Sequence, residues 1–123
     1  MMSDPFTDRL ARVRARFAST LTGKIDDTCA SIAGLSDAAP GAAQSVAEAY
    51  RRIHGIVGVG PTVGFPQSGT AAHDVEKILR AAQQQQRGLT DEEIAQLEAN
   101  LKLLRDVAGR ELRSISSIQA RTG

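Results

Sequence analysis

The chain has 123 residues, of which 41% are hydrophobic and 24% charged, and its 15 basic and 14 acidic residues give a net charge of +1. These proportions are typical of one globular domain and exclude the concentrated basic surface of a nucleic-acid-binding protein. With no tryptophan and only 3% aromatic residues, the core must be aliphatic, which favours packed helices over a sheet. We therefore expect a single all-α domain over residues 1–123.

The compartment is indicated by cysteine content and by the N-terminal segment. Cys29 is the only cysteine, so an intrachain disulfide is excluded and a reducing compartment is expected. The first twenty residues carry many charges, and no stretch approaches the roughly 18 apolar residues of a membrane span. These features predict a cytoplasmic protein without a membrane partner. Four N-terminal arginines are expected to form a solvated helix flank: Arg9, Arg12, Arg14 and Arg16.

The first two predicted helices are marked by apolar residues at every third or fourth position. The first stripe includes Leu10, Val13 and Phe17, and it predicts one long helix or two helices that meet near Gly23, with Ser3 or Asp4 as the N-cap. The second helix begins near Ala42. It should end or bend near Gly60, because the following residue, Pro61, has no amide hydrogen to donate to the carbonyl of Val57.

The last two predicted helices begin at recognisable residues. Pro66 suits the first turn of the third helix. Thr90 and Glu93 have the spacing of a capping box at the start of the fourth helix, whose apolar stripe continues to Ile118. Four amphipathic helices with short connections bury their stripes together as an up-down four-helix bundle.

His54 is the candidate functional residue of the second helix. Gly55, Gly58 and Gly60 follow it closely, although a glycine inside a helix costs about 1 kcal/mol relative to alanine. One explanation is that missing side chains give another protein access to the imidazole. The other is close helix packing, with His54 as an ordinary boundary residue. The residues alone leave both explanations open.

The spacing of these residues adds a family resemblance. A histidine, an aliphatic residue and three glycines stand at positions His54, Ile56, Gly58, Gly60 and Gly64. This pattern resembles the phosphorylation motif of histidine-containing phosphotransfer (HPt) domains of bacterial two-component phosphorelays. The later His73 and Glu76 make the segment similar to the phosphotransfer domain of the chemotaxis histidine kinase. The sharp likeness covers residues 50–80, and a looser likeness in helix layout covers residues 6–118.

The resemblance implies a phosphorelay intermediate. In such a domain His54 accepts a phosphoryl group from the aspartate of a response-regulator receiver domain and donates it to another, in a pathway that includes a hybrid histidine kinase. The domain is a monomeric, stoichiometric carrier rather than an enzyme. It has no cofactor, because the receiver supplies Mg²⁺. Glu76 is expected to orient the imidazole through one ring nitrogen, and His73 to join that network.

The sequence departs from the family at one position. The family usually has lysine three residues after the histidine, where this chain has Val57. Positive charge for the phosphoryl group is therefore expected from Arg51, Lys77 or Arg80. The docking surface for the receiver is expected to consist of Gly55, Ile56, Val57 and Gly58.

Two other functions remain compatible with these residues. One is a non-phosphorylated helical interaction module that docks receiver or kinase domains through the same surface. The other is a metal site with His54 and His73 as ligands and Glu76 as a third. Exposure of the His54 ring favours the carrier, whereas its burial favours the interaction module.

Overall fold

The structure, a computed structural model, describes residues 5–122, with side chains described for residues 5–115. Within this part the helices are α1 (Pro5–Ala30), α2 (Ile32–Leu35), α3 (Ala42–Val59), α4 (Pro66–Gln84) and α5 (Asp91–Thr122). A 3-10 segment, Gly60–Val63, connects α3 to α4. The predicted all-α class is confirmed. The proposed N-cap at Ser3 or Asp4 and the side chain of Ile118 lie outside the described residues.

The four long helices surround one aliphatic core. Helix α1 packs against α3 and α5, and α4 packs against the same two helices. Each fully buried Leu or Ile side chain contributes about 1.5–3 kcal/mol relative to an exposed one. The largest fully buried aliphatic side chains are Leu21, Ile25, Leu35, Ile53, Ile56, Leu79, Leu89, Leu97, Leu101 and Leu104. The alternating up-down direction of the helices stays a prediction.

Helix α1 is a single long helix. It continues through Gly23 and ends at Ala30, where the amide of Ser31 reaches the carbonyl oxygens of both Asp27 and Thr28 at 3.1 Å. The prediction of an inward-facing Val13 is wrong, because this side chain is 42% exposed. Next to this position Arg14 contacts the 3-10 segment, whose four residues cover less of α1 than a long helix does.

The α3–α4 connection has the predicted break. Helix α3 ends at Val59, and the chain then turns through Gly64, whose positive φ of 101° suits glycine. The amide of Phe65 donates to the carbonyl of Gly60 at 2.8 Å. A Cβ on Gly69 would lie only 2.7 Å from Cγ of Pro61, so glycine is what allows α4 to approach the segment this closely.

One of the N-terminal arginines has a structural contact. Arg14 donates from Nε to the carbonyl oxygen of Val63 at 2.8 Å and is half-buried, whereas Arg9, Arg12 and Arg16 are exposed. The expected solvated flank is therefore correct for three arginines and wrong for Arg14. This bond connects α1 to the segment that separates α3 from α4.

The starts of α4 and α5 are capped by carboxylates. Glu111 of α5 accepts hydrogen bonds from the amide of Gln67 at 3.1 Å and from both the amide and the hydroxyl of Ser68 at 2.6 Å. These groups belong to the first turn of α4, whose free amides favour a negative charge. The capping box predicted for α5 is confirmed, with bonds of 2.9 Å and 3.2 Å between Thr90 and Glu93.

Candidate functional site

The centre of the site is a hydrogen bond between α3 and α4. His54 Nδ1 lies 2.7 Å from Oε2 of Glu76. The His54 side chain is 59% exposed, whereas Glu76 is 1% exposed. An ionised carboxylate can only accept, so in the neutral imidazole this bond places the hydrogen on Nδ1 and the free lone pair on Nε2. The expected geometry, an exposed ring within reach of the Glu76 carboxylate, is confirmed.

The second oxygen of Glu76 has its own partner. Arg80, one helical turn later on α4, donates from its guanidinium to Oε1 of Glu76. Burying a carboxylate is costly unless it is paired and hydrogen-bonded, so this ion pair offsets the cost of placing Glu76 beneath the imidazole. Of the three cations suggested for the site, Arg80 is therefore held at the orienting carboxylate.

The His54 ring also contacts an aromatic side chain. Tyr50, one turn earlier on α3, stacks on the imidazole with 5.4 Å between ring centroids and 18° between ring planes. This contact limits the orientations that the imidazole can adopt. Tyr50 is not among the site residues predicted from the sequence. The i, i+4 spacing from His54 was the available signal, because residues at that spacing are neighbours on one helix face.

The surface around His54 differs in part from the expected one. Gly58 is exposed, and a Cβ added there would meet nothing within 4 Å, while Gly55 is half-buried. Ile56 is fully buried, so its prediction as a docking contact is wrong. Position 56 follows Ile53 by three residues, and both side chains face the core on the same helix stripe.

The remaining candidates lie around the site without joining its network. Arg51 and Lys77 are exposed and Val57 is half-buried against the core. His73 is exposed, and among residues 5–115 it makes no hydrogen bond to His54 or Glu76. The expectation that His73 joins the network is therefore wrong for this structure. His73 precedes Glu76 by three residues, an offset of about 60° around the α4 axis, and at this offset His73 is exposed while Glu76 is buried.

The described residues also bear on the metal-site alternative and on membrane association. Within that part, no group of three or more His, Cys, Asp or Glu residues is placed to hold a metal ion. The metal-site alternative thus gains no support from the positions of His54, His73 and Glu76. No helix in residues 5–122 is long and apolar enough to cross a bilayer.

The fold and the site together define a helical domain with an exposed imidazole that is hydrogen-bonded to a buried carboxylate. The family model of the Hpt domain matches residues 12–107. The chain therefore belongs to the Hpt domain family, whose members are phosphocarriers in two-component signalling and interact with receiver domains and kinases. Comparison with curated proteins gives no match, and neither does comparison with solved structures.

Proposed function

We propose that His54 is the phosphoryl-accepting residue of a phosphorelay intermediate, and that it exchanges the group with the aspartate of response-regulator receiver domains. The observation that carries this proposal is the hydrogen bond between the exposed ring of His54 and the buried carboxylate of Glu76, 2.7 Å long. It fixes the hydrogen on Nδ1 and leaves Nε2 as the nucleophile.

The transfer step balances without an added proton. The lone pair of Nε2 attacks the phosphorus atom of the receiver's aspartyl phosphate, and an N–P bond forms. The bond between phosphorus and the aspartate oxygen breaks, and its electron pair stays on the receiver's carboxylate. The imidazole keeps its Nδ1 hydrogen and becomes a cation. The Glu76 carboxylate, hydrogen-bonded to Nδ1, stabilises this positive charge. The reverse step returns the group to a receiver.

The burial of Glu76 makes this stabilisation effective. Coulombic attraction between a cationic ring and a carboxylate is stronger near the protein interior than in bulk water, because the effective dielectric constant is lower. Tyr50 and Glu76 together hold the ring before the partner arrives. Less rotational freedom is then lost during transfer, so part of the entropic cost of the reaction has already been met.

The proposed docking surface lies on the open side of α3. His54, Gly58 and Arg51 are exposed there, and Gly58 has no neighbour that a side chain would meet. This allows a receiver to bring its aspartate to Nε2. The receiver would also bring Mg²⁺, so we assign no metal or nucleotide to this chain. We expect the domain to act as a monomer, in exchange with a receiver and a hybrid histidine kinase, in the bacterial cytoplasm.

A second candidate function is supported by Val57. An uncharged residue stands where the family usually has lysine, which favours a relative that docks receiver or kinase domains without carrying phosphate. The phosphorylation experiment separates the two functions.

The test is phosphotransfer from a panel of phosphorylated receiver domains to the wild-type chain and to two variants. The wild type should take up an acid-labile label, and His54→Gln should take up none. His73→Gln is the matched control, because it removes the other of the two histidines and should be labelled like the wild type. Full labelling of His54→Gln would refute the assignment. Binding of receivers without labelling of the wild type would support the interaction module.

A further inference from the structure

The ammonium group of an α1 residue, Lys24, reaches α3 at Gly55, the residue that follows His54 in the sequence. A Cβ built on Gly55 would lie 3.4 Å from Nζ of Lys24, so the ammonium group of this α1 residue rests over the residue that directly follows His54. Lys24 is half-buried. Among residues 5–115 it makes no hydrogen bond or ion pair with a side chain or a carbonyl.

The partial burial of Lys24 belongs to the residue as a whole, and long lysine side chains pack their apolar stems while the charged end stays available to solvent or to an anion. The other cations near His54 differ from it. Arg80 is bonded to Glu76, and Arg51 is exposed, so ordering its long side chain has a larger entropic cost. The stem of Lys24 is already partly immobilised by packing. Its charged end is available to an anion that arrives beside Gly55.

We propose that Lys24 binds the phosphoryl group while that group is on His54. This inference rests on the proposed function of His54. A phosphoryl group on Nε2 adds a dianion to the exposed face of α3, and Gly55 has no side chain to separate it from Lys24. The flexible four-carbon stem lets the ammonium follow the group as it moves between partners. Val57 is apolar and packs against the core, so it contributes no charge. The positive charge that the family usually has at this position of α3 comes instead from Lys24 of α1.

The test uses phosphoramidate as a small-molecule donor, so that it does not depend on any receiver. In a His73→Gln background His54 is the only histidine. The second pKa of its phosphoryl group is read from the ³¹P chemical shift as the pH is changed. A nearby cation favours the dianion and lowers this pKa. Lys24→Gln should therefore raise it by roughly 0.5–1 unit, and Lys24→Arg should leave it near the wild-type value.

Two comparisons separate contact from a structural role. Lys102→Gln makes the same chemical change on an exposed residue of α5, a helix that packs against α1 and α4, and should not shift the phosphoryl pKa. Lys24→Met removes the charge and keeps the apolar stem, and it should behave like Lys24→Gln. The shift should become smaller between roughly 0.01 M and 1 M salt, because added ions screen the attraction.

Equal phosphoryl pKa values in the wild type and in both uncharged variants at low salt would overturn the role of Lys24. That result would leave His54 as the acceptor, because the titration requires only that His54 be phosphorylated. If the proposed function is wrong, the receiver assay will show it, because no receiver will transfer its phosphoryl group to the chain. If receivers do transfer, Lys24→Gln should accept the group roughly fivefold more slowly, the effect of one charge-assisted contact at a partly exposed position.

Discussion

Replacing Glu76 by glutamine changes the charge beneath the imidazole and leaves the shape of the side chain nearly unchanged. The amide oxygen can still accept from Nδ1 of His54, but the hydrogen bond is no longer charge-assisted. Charge-assisted hydrogen bonds contribute about 1.5–3 kcal/mol, whereas neutral ones contribute about 0.5–1.5 kcal/mol. The difference of about 1–1.5 kcal/mol corresponds to roughly tenfold in rate. We expect the smaller part of that range, because the imidazole is 59% exposed.

The fold should tolerate this change. Arg80 loses its partner, but its side chain is 42% exposed and can be hydrated, so no buried charge is left unpaired. We expect Glu76→Gln to unfold within about 1 kcal/mol of the wild type and to accept phosphate roughly fivefold more slowly.

The assay for Glu76→Gln combines urea unfolding with single-turnover transfer from one phosphorylated receiver. Glu98→Gln on α5, an exposed position, is the matched control. Wild-type transfer by a folded Glu76→Gln variant would refute the argument that a buried negative charge assists the reaction, and so would an equal loss of rate in the control.

Two further predictions concern steric access and acid stability. Gly58→Phe adds a ring to an open position on α3 and should slow transfer at least tenfold by blocking the receiver. Ala99→Phe, at an exposed position on α5, should not slow transfer. Comparison of the transfer rates with the melting temperatures separates steric blockage from unfolding. The hydrogen bond from Arg87 lowers the pKa of Glu93 to about 2, so its contribution to stability is present above about pH 4.5 and is lost as the pH falls towards 2. At pH 7 Glu93→Gln should destabilise the fold by about 1 kcal/mol, since both side chains are partly exposed and screened by solvent. Unfolding curves at pH 7 and pH 2 should show the difference disappear, and a constant difference would contradict this linkage.

The sequence predicted features that depend on local chemistry. The end of α3 follows from the missing amide of Pro61, and the start of α5 from the side chains of Thr90 and Glu93. These signals act over a few residues, so no knowledge of the tertiary structure is needed. The family resemblance added the pairing of His54 with Glu76, which periodicity alone does not predict.

Features that depend on packing between distant segments were missed. The exposure of Val13 depends on how much of α1 the 3-10 segment covers, and the contact of Arg14 on where the carbonyl of Val63 points. Sequence patterning does not predict the approach of Lys24 to Gly55, because that approach depends on the relative positions of α1 and α3. Helical periodicity gives the face of a residue and not the neighbour opposite that face.

The 22-residue separation between His54 and Glu76 affects how the site survives fluctuations of the fold. Both residues belong to the hairpin formed by α3, the 3-10 segment and α4, and the closure entropy of such a short loop is modest. Helical contacts of this local kind also form quickly. Partial detachment of α1, a sub-global opening of lower free energy than complete unfolding, would therefore leave His54 aligned with Glu76 while withdrawing the ammonium of Lys24. In the proposed site, the alignment of the imidazole and the charge of the ammonium thus depend on different helices.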